Sequence, residues 1–266
     1  MSIELPFSHP RESVLKFILS LADDELMLGH RDAEWTGHSP ILEEDIAFSN
    51  IAQDELGHSL VWYTLYEQLT GKPPDAMAFE RKWNDFVCSR FVTYPNGDFA
   101  YSVVRQYLFD EAEQVKLSSF RESSLQQLSE IAGKLLREEA YHLLHSKGLV
   151  ERLGDATEES HRRMQAALDE AFPQALGMFE RVDDEEGLVK AAVFPGNNVL
   201  KTEWLKRVVP VLTNSALRIP VSSKNGSFTY TVQPDEGGRK RNHTQHLRRL
   251  VDDLQQVYRL VPGAKW

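Results

Sequence analysis

A single cysteine, Cys88, is all the thiol chemistry this chain has, which excludes an intrachain disulfide and fits a reducing compartment. Basic residues are scarce as well. Thirty Lys and Arg stand against 40 Asp and Glu, a formal charge of −10, which argues against a reader of nucleic acid. No run approaches the roughly 18 uninterrupted apolar residues of a membrane helix. The opening, Met1 to Ser13, has no basic stretch leading into an apolar one, so no secretory signal is expected. Phosphate-cradling glycine loops, serine or cysteine nucleophile motifs and low-complexity tracts are missing too. What remains is a 266-residue chain, 41% hydrophobic and 26% charged, globular in composition and long enough to bury a substantial core. These features predict a soluble cytoplasmic protein.

The pattern is helical. Apolar residues recur at helical spacing from Val14 to Leu28, and Gly37 and Pro40 mark the break beyond. Ile41 to Leu69 is a second long amphipathic run, closed by Gly71, Pro73 and Pro74. A shorter helix is expected over Asp75 to Phe91, before the turn signal Tyr94-Pro95-Asn96-Gly97. Asp98 can cap a third long helix to about Glu122, and a fourth runs from about Leu125 to Leu153, stopped at Gly154. Thr157-Glu158-Glu159 reads as an N-cap with an acidic first turn, opening a helix to about Glu180 that Pro173 kinks or splits. Further helices are expected over about Asn198 to Ser215 and Asn242 to Leu260. Val221 to Val232 alternates around Asn225-Gly226 as a small hairpin would. The expected architecture is one all-α domain over residues 1–266, with a four-helix core over about 12–153 and a C-terminal elaboration over about 157–266.

Two of the four long helices carry Glu-x-x-His: Glu55 with His58, and Glu139 with His142. Residues three apart share a helix face, so each pair can offer a carboxylate oxygen and an imidazole nitrogen to one ion. The motif alone is weak. With 24 Glu and 9 His, chance placement gives about 0.8 matches in this chain. A third match, Glu158 with His161, lies in a polar first turn and reads as chance. Position sets the first two apart, because each interrupts an apolar stripe: Ile51, Glu55, His58, Trp62 on one helix and Leu135, Glu139, His142, Leu149 on the other. A carboxylate placed in a core costs several kcal/mol unless it is paired or binds a metal. Glu25 interrupts a stripe of Ile18, Leu21 and Leu28 on the first helix. On the third, Asp110, Glu111 and Glu113 compete, and periodicity does not choose between Asp110 and Glu111. Glu25 precedes Glu55 by 30 residues and Asp110 precedes Glu139 by 29, so two helical hairpins would each bring one acid and one Glu-x-x-His. That is the ligand plan of a ferritin-like dinuclear carboxylate site, whose mixed oxygen and nitrogen donors suit iron or manganese.

Other features carry less. Gly57 costs its helix about 1 kcal/mol relative to Ala and suggests a close helix approach. Tyr107 and Tyr141 fall near candidate ligands and read as core packing rather than redox groups. Arg239, Lys240 and Arg241, followed by Arg248 and Arg249, read as solvated surface, with CoA phosphates or an acidic partner as the functional alternatives.

The segments from Leu28 through Trp35 to Pro40, Gln53 to His58, Glu138 to His142 and Val261 to Trp266 resemble the phenylacetic acid catabolic family. Its members are ferritin-like subunits of the multicomponent oxygenase that epoxidises the ring of phenylacetyl-CoA, and the resemblance covers essentially the whole chain. Length, the Glu34-Trp35 region and the stretch from Gly237 look most like that complex's structural subunit. The ligand pattern instead resembles the catalytic subunit, which implies Glu25, Glu55, His58, Asp110, Glu139 and His142 as metal ligands and selects Asp110 over Glu111. The resemblance implies a di-iron oxygenase component acting on phenylacetyl-CoA or a related aromatic acyl-CoA. Two irons (or manganese), O2, a separate reductase and a homodimer or heteromer with related subunits come with it. The alternatives are a non-catalytic structural subunit of the same oxygenase, and an iron store or dimanganese catalase on the same bundle.

Overall fold

Three acids in a row on the first helix, Asp23, Asp24 and Glu25, are all buried, and the local fold is organised around neutralising the first two. The computed structural model describes residues 10–261 and residue 264, so the opening nine residues and most of the Val261 to Trp266 motif lie outside the described residues. Among the described residues the chain is all-α apart from one two-stranded hairpin, in the order α1 (Arg11–Ala33), α2 (Leu42–Thr70), α3 (Phe99–Phe120), α4 (Gln126–Gly154), α5 (Glu158–Leu176), α6 (Glu185–Lys190), α7 (Asn197–Asn214), β1 (Val221–Lys224), β2 (Ser227–Tyr230), α8 (Gln245–Leu254) and α9 (Gln256–Leu260). The two long hairpins, α1–α2 and α3–α4, are the helix complement of a ferritin-like bundle. Among the described residues, no helix is long and apolar enough to cross a membrane. The chain divides into two compact units, Met1–Pro95 with Gly237–Trp266, and Asn96–Glu236.

In the first unit α1 and α2 run antiparallel. Arg11 reaches the Leu69 carbonyl at one end, Ser59 Oγ donates to the Ala22 carbonyl at 2.9 Å midway, and Gly29 lies against Ala52, Glu55 and Leu56 at the other. α2 stops at Gly71, whose φ of 76° is left-handed backbone and whose N–H returns to the Glu67 carbonyl at 2.7 Å. The helix expected over Asp75 to Phe91 does not form. A π-helical turn, Ala76–Glu80, and a 3-10 turn, Trp83–Asp85, lead instead into extended chain. The physical reason lies on α1. Alternate amides of the extended segment donate to its carboxylates, Val87 N to Asp23 Oδ2 at 2.8 Å and Ser89 N to Asp24 Oδ1 at 2.7 Å. A helix would have spent those amides internally.

Two arginines complete the arrangement. Arg81 pairs with Asp23, which also accepts from Tyr63 Oη at 2.6 Å. Arg239 reaches Asp24 at 2.9 Å through Nη1 and the carbonyls of Ser20 and Val87 at 3.2 and 3.1 Å. Arg239 is 6% exposed and serves as an internal counter-ion, whereas Lys240, Arg241, Arg248 and Arg249 are exposed, as a solvated surface would have them. The expected last helix breaks at Gln255, whose buried amide serves the carbonyls of Ala78 and Arg81 that the irregular turns leave open.

The second unit follows its sequence more closely. Asp98 caps α3 by accepting from Ala100 N at 3.3 Å, and Thr157 and Ser160 form a reciprocal capping box on α5. α5 runs through Pro173 to Leu176, and the Pro173 carbonyl accepts from Asp235 N at 2.9 Å. α7 runs through Pro210 and buries Trp204, which donates to the Leu108 carbonyl at 3.0 Å and packs on Phe172 and Phe179. The hairpin pairs Val221 with Tyr230 and Lys224 with Ser227, turning on Asn225 and Gly226 at φ 52° and 78°. The six-residue α6 has no apolar period to announce it. Its Glu185 is held by Asn197 instead, at 3.1 Å to N and 2.8 Å to Nδ2.

Arg239→Ala, which leaves Asp24 buried beside Asp23, is expected to lower unfolding free energy by about 3–5 kcal/mol in urea titration. Arg248→Ala, at an exposed pair 3.9 Å from Asp252, should change it by no more than about 0.5 kcal/mol. Burial lowers the pKa of His243, against the pull of its 2.8 Å hydrogen bond to the Phe86 carbonyl, and burial likewise lowers that of His30. Below the ordinary value near 6.5 the unfolded chain therefore binds more protons than the folded one, so stability falls as pH drops through that value. Melting curves from pH 8 to 5 should show the loss, and His243→Gln should reduce it.

Candidate metal centre

Each hairpin carries one donor set. In the first unit Glu25 projects from α1 and Glu55 and His58 from α2, all three buried, and one ligand atom from each lies within 4.8 Å of the others. The i, i+3 spacing puts Glu55 Oε2 3.8 Å from His58 Nδ1 on one face of α2. Gly29, one turn after Glu25, lets the helices close. A Cβ there would sit 3.0 Å from Glu55 Cβ and 3.1 Å from the Ala52 carbonyl. Gly57, to which the sequence assigns that close approach, faces open space instead.

In the second unit Asp110 on α3 and Glu139 and His142 on α4 are buried, with His142 Nδ1 3.4 Å from Glu139 Oε1. Asp110 accepts on both oxygens, from Gln106 Nε2 at 2.8 Å and from Ser146 Oγ at 2.6 Å. Its neighbours on α3 differ. Glu113 is paired with Lys116 at 2.5 Å, and Glu111 lies 3.9 Å from Arg207. Burial raises the Glu111 pKa while Arg207 and Lys147 oppose the rise. The two acids that periodicity leaves as rivals to Asp110 thus face cations of their own.

The donor chemistry fits a divalent first-row ion. Ligand oxygens and nitrogens about 2.0–2.2 Å from a metal lie roughly 3–4 Å from one another, so atoms within 4.8 Å converge on one ion by small side-chain rotations. The guanidinium groups of Arg81 and Arg239 are meanwhile committed to Asp23 and Asp24 on the same helix as Glu25. Two carboxylates and an imidazole form a site whose net negative charge a divalent ion offsets.

Other candidate residues fall elsewhere. His161 Nδ1 lies 2.7 Å from the Gly154 carbonyl at the end of α4, in keeping with a chance motif. Tyr141 is 75% exposed, not core, because two residues beyond Glu139 lies the opposite face of α4. Tyr107 is buried, and its hydroxyl has no hydrogen-bond partner among the described residues. Burial, and the charges of Glu111, Glu151 and Asp110, raise its pKa. Cys88 is buried, and burial with Asp23 and Asp24 beside it pushes its thiol pKa up, which makes it inert. Asp23, Asp24, Arg81, Gln106 and Ser146 escape the sequence reading. An unbroken acid triplet within an apolar helix was the available signal for the first two.

Long-helix hairpins bearing one acid and one Glu-x-x-His each are consistent with a ferritin-like bundle. The phenylacetic acid catabolic protein family matches residues 5–266, and the chain belongs to that family. It is 31% identical over 251 residues to one of the subunits of the 1,2-phenylacetyl-CoA epoxidase of Escherichia coli (strain K12), covering 94% of this chain and 98% of that protein.

Since the Tyr107 hydroxyl makes no hydrogen bond among the described residues, Tyr107→Phe should leave unfolding free energy unchanged or raise it by about 1 kcal/mol. A loss of more than about 1 kcal/mol in denaturant titration would reveal a partner for that hydroxyl.

Proposed function

We propose that the protein is a di-iron oxygenase component of phenylacetate catabolism, working in the cytoplasm with O2 on phenylacetyl-CoA or a related aromatic acyl-CoA. Glu25, Glu55 and His58 hold one ion, and Asp110, Glu139 and His142 the other. The observation that carries this is the burial of the first set with its ligand atoms within 4.8 Å, in a chain that belongs to this family. When bound, iron (or manganese in its place) supplies the O2 chemistry that no side chain here possesses. The chain's own residues do the rest. Helix spacing aims the paired Glu and His donors, Gly29 lets α1 and α2 approach, and Arg81 and Arg239 neutralise the acids next to Glu25. The ligand side chains are almost wholly inaccessible, which excludes bulk water from a reactive centre. Ring epoxidation places one atom of O2 on the substrate and the other in water, and so consumes two electrons and two protons. The electrons require a separate reductase, with which the chain works as a homodimer or beside related subunits.

A second reading, a structural subunit without turnover of its own, is favoured by the near full-length similarity to a protein named as one subunit of an epoxidase. The two part on metal content. Protein from iron-replete culture should contain about two irons per chain, lost in a Glu55→Ala/Glu139→Ala variant, and should oxygenate phenylacetyl-CoA when a reductase is supplied. No metal in either protein, even after anaerobic reconstitution with ferrous iron, would leave the structural reading. Iron accumulating well beyond that ratio would indicate a store, and peroxide disproportionation without reductase a catalase.

A further inference from the structure

Ser146 holds a core position that an apolar residue would ordinarily fill. It lies on the α4 stripe at i, i+3 and i+7 with Glu139 and His142, and it is buried. Its single proton goes to Asp110 Oδ2 at 2.6 Å, since the alternative acceptor, the Leu143 carbonyl, is 3.5 Å away. Gln106, one turn before Asp110 on α3, is fully buried and donates to the other oxygen, Oδ1, at 2.8 Å. Aspartate has only two side-chain torsions, and a donor on each oxygen, one from its own helix and one from the neighbouring helix, fixes both. A carboxylate oxygen carries two lone pairs, so one hydrogen bond does not exhaust its capacity to bind. The carboxylate is thus held in one plane with its lone pairs in fixed directions.

We infer that Gln106 and Ser146 are positioning residues that pre-orient Asp110 as a metal ligand, so that the set of Asp110, Glu139 and His142 binds its divalent ion without first ordering its shortest ligand. The inference rests on the metal-centre reading above and adds residues to it. Ser146 also ties α3 to α4 at ligand level, so the register of the second hairpin and the direction of Asp110 are set by the same hydrogen bond. Loss of groups that orient a ligand from outside the donor set typically weakens metal binding about 10–100-fold.

Cobalt(II) is the probe, followed by its visible d–d absorption and by competition with a chromophoric chelator. Ser146→Ala and Gln106→Leu should each weaken one bound cobalt about 10-fold or more and change its d–d band, while circular dichroism and melting temperature show a folded chain. Ser146→Thr, which keeps the hydroxyl, should restore both affinity and spectrum. In a Glu25→Ala/His58→Ala background, which removes two of the three donors of the first set, the Ser146→Ala loss should persist. Wild-type protein that binds cobalt while both variants match its affinity and spectrum overturns the positioning role and leaves the metal centre standing. A Ser146→Thr variant as weak as Ser146→Ala does the same, since packing alone would then explain the loss. Wild-type protein that binds no cobalt or iron overturns the metal centre and this role together.

Discussion

The buried acid triplet of α1 is the constraint from which the first unit follows. Three consecutive carboxylates on a helix point in three directions about 100° apart, so no single partner can serve them. Asp23 and Asp24 accept from alternate amides of one extended segment and are met by Arg81 and Arg239, which enter from chain regions far apart in sequence. The cost of burying two charges is offset only because hydrogen bonds from Tyr63 and the amides of Val87 and Ser89 complete the shell. That arrangement dictates an extended segment after residue 85 and a return of the chain at residue 239. It leaves the third acid, Glu25, to face Glu55 and His58.

The two hairpins seat equivalent donors by different means. In the first, backbone approach does it, since Gly29 admits α2 to a distance at which a Cβ would crowd Glu55 and the Ala52 carbonyl. In the second, directed hydrogen bonds do it, with Gln106 and Ser146 fixing a carboxylate shorter by one methylene. A glutamate has the reach to find a ligand position once its helix is placed, whereas an aspartate must be aimed.

Membership of the phenylacetic acid catabolic family accords with this chemistry. The family match spans residues 5–266, both Glu-x-x-His helices among them, and the similarity to an epoxidase subunit covers 94% of this chain and 98% of that protein. Of the basic stretch, Arg239 contributes to the fold through its internal ion pair, while Lys240, Arg241, Arg248 and Arg249 stay exposed.

The long helices, their caps at Asp98 and Thr157, the hairpin at Asn225-Gly226, and the donor-bearing faces of α2 and α4 are all legible in the amino-acid order. Each depends on residues within a few positions of one another, through apolar period, local capping or turn dihedrals, and so is written along the chain. Long-range packing was needed to establish that residues 75–91 are not a helix, that Gly29 rather than Gly57 is the close approach, that Tyr141 faces outward, and that Arg239 is a counter-ion. It also placed Ser146 on Asp110 and set Lys116 and Arg207 against Glu113 and Glu111. These outcomes turn on which amide, carboxylate or guanidinium arrives from a distant segment, and local propensity loses whenever a buried charge has to be satisfied from elsewhere.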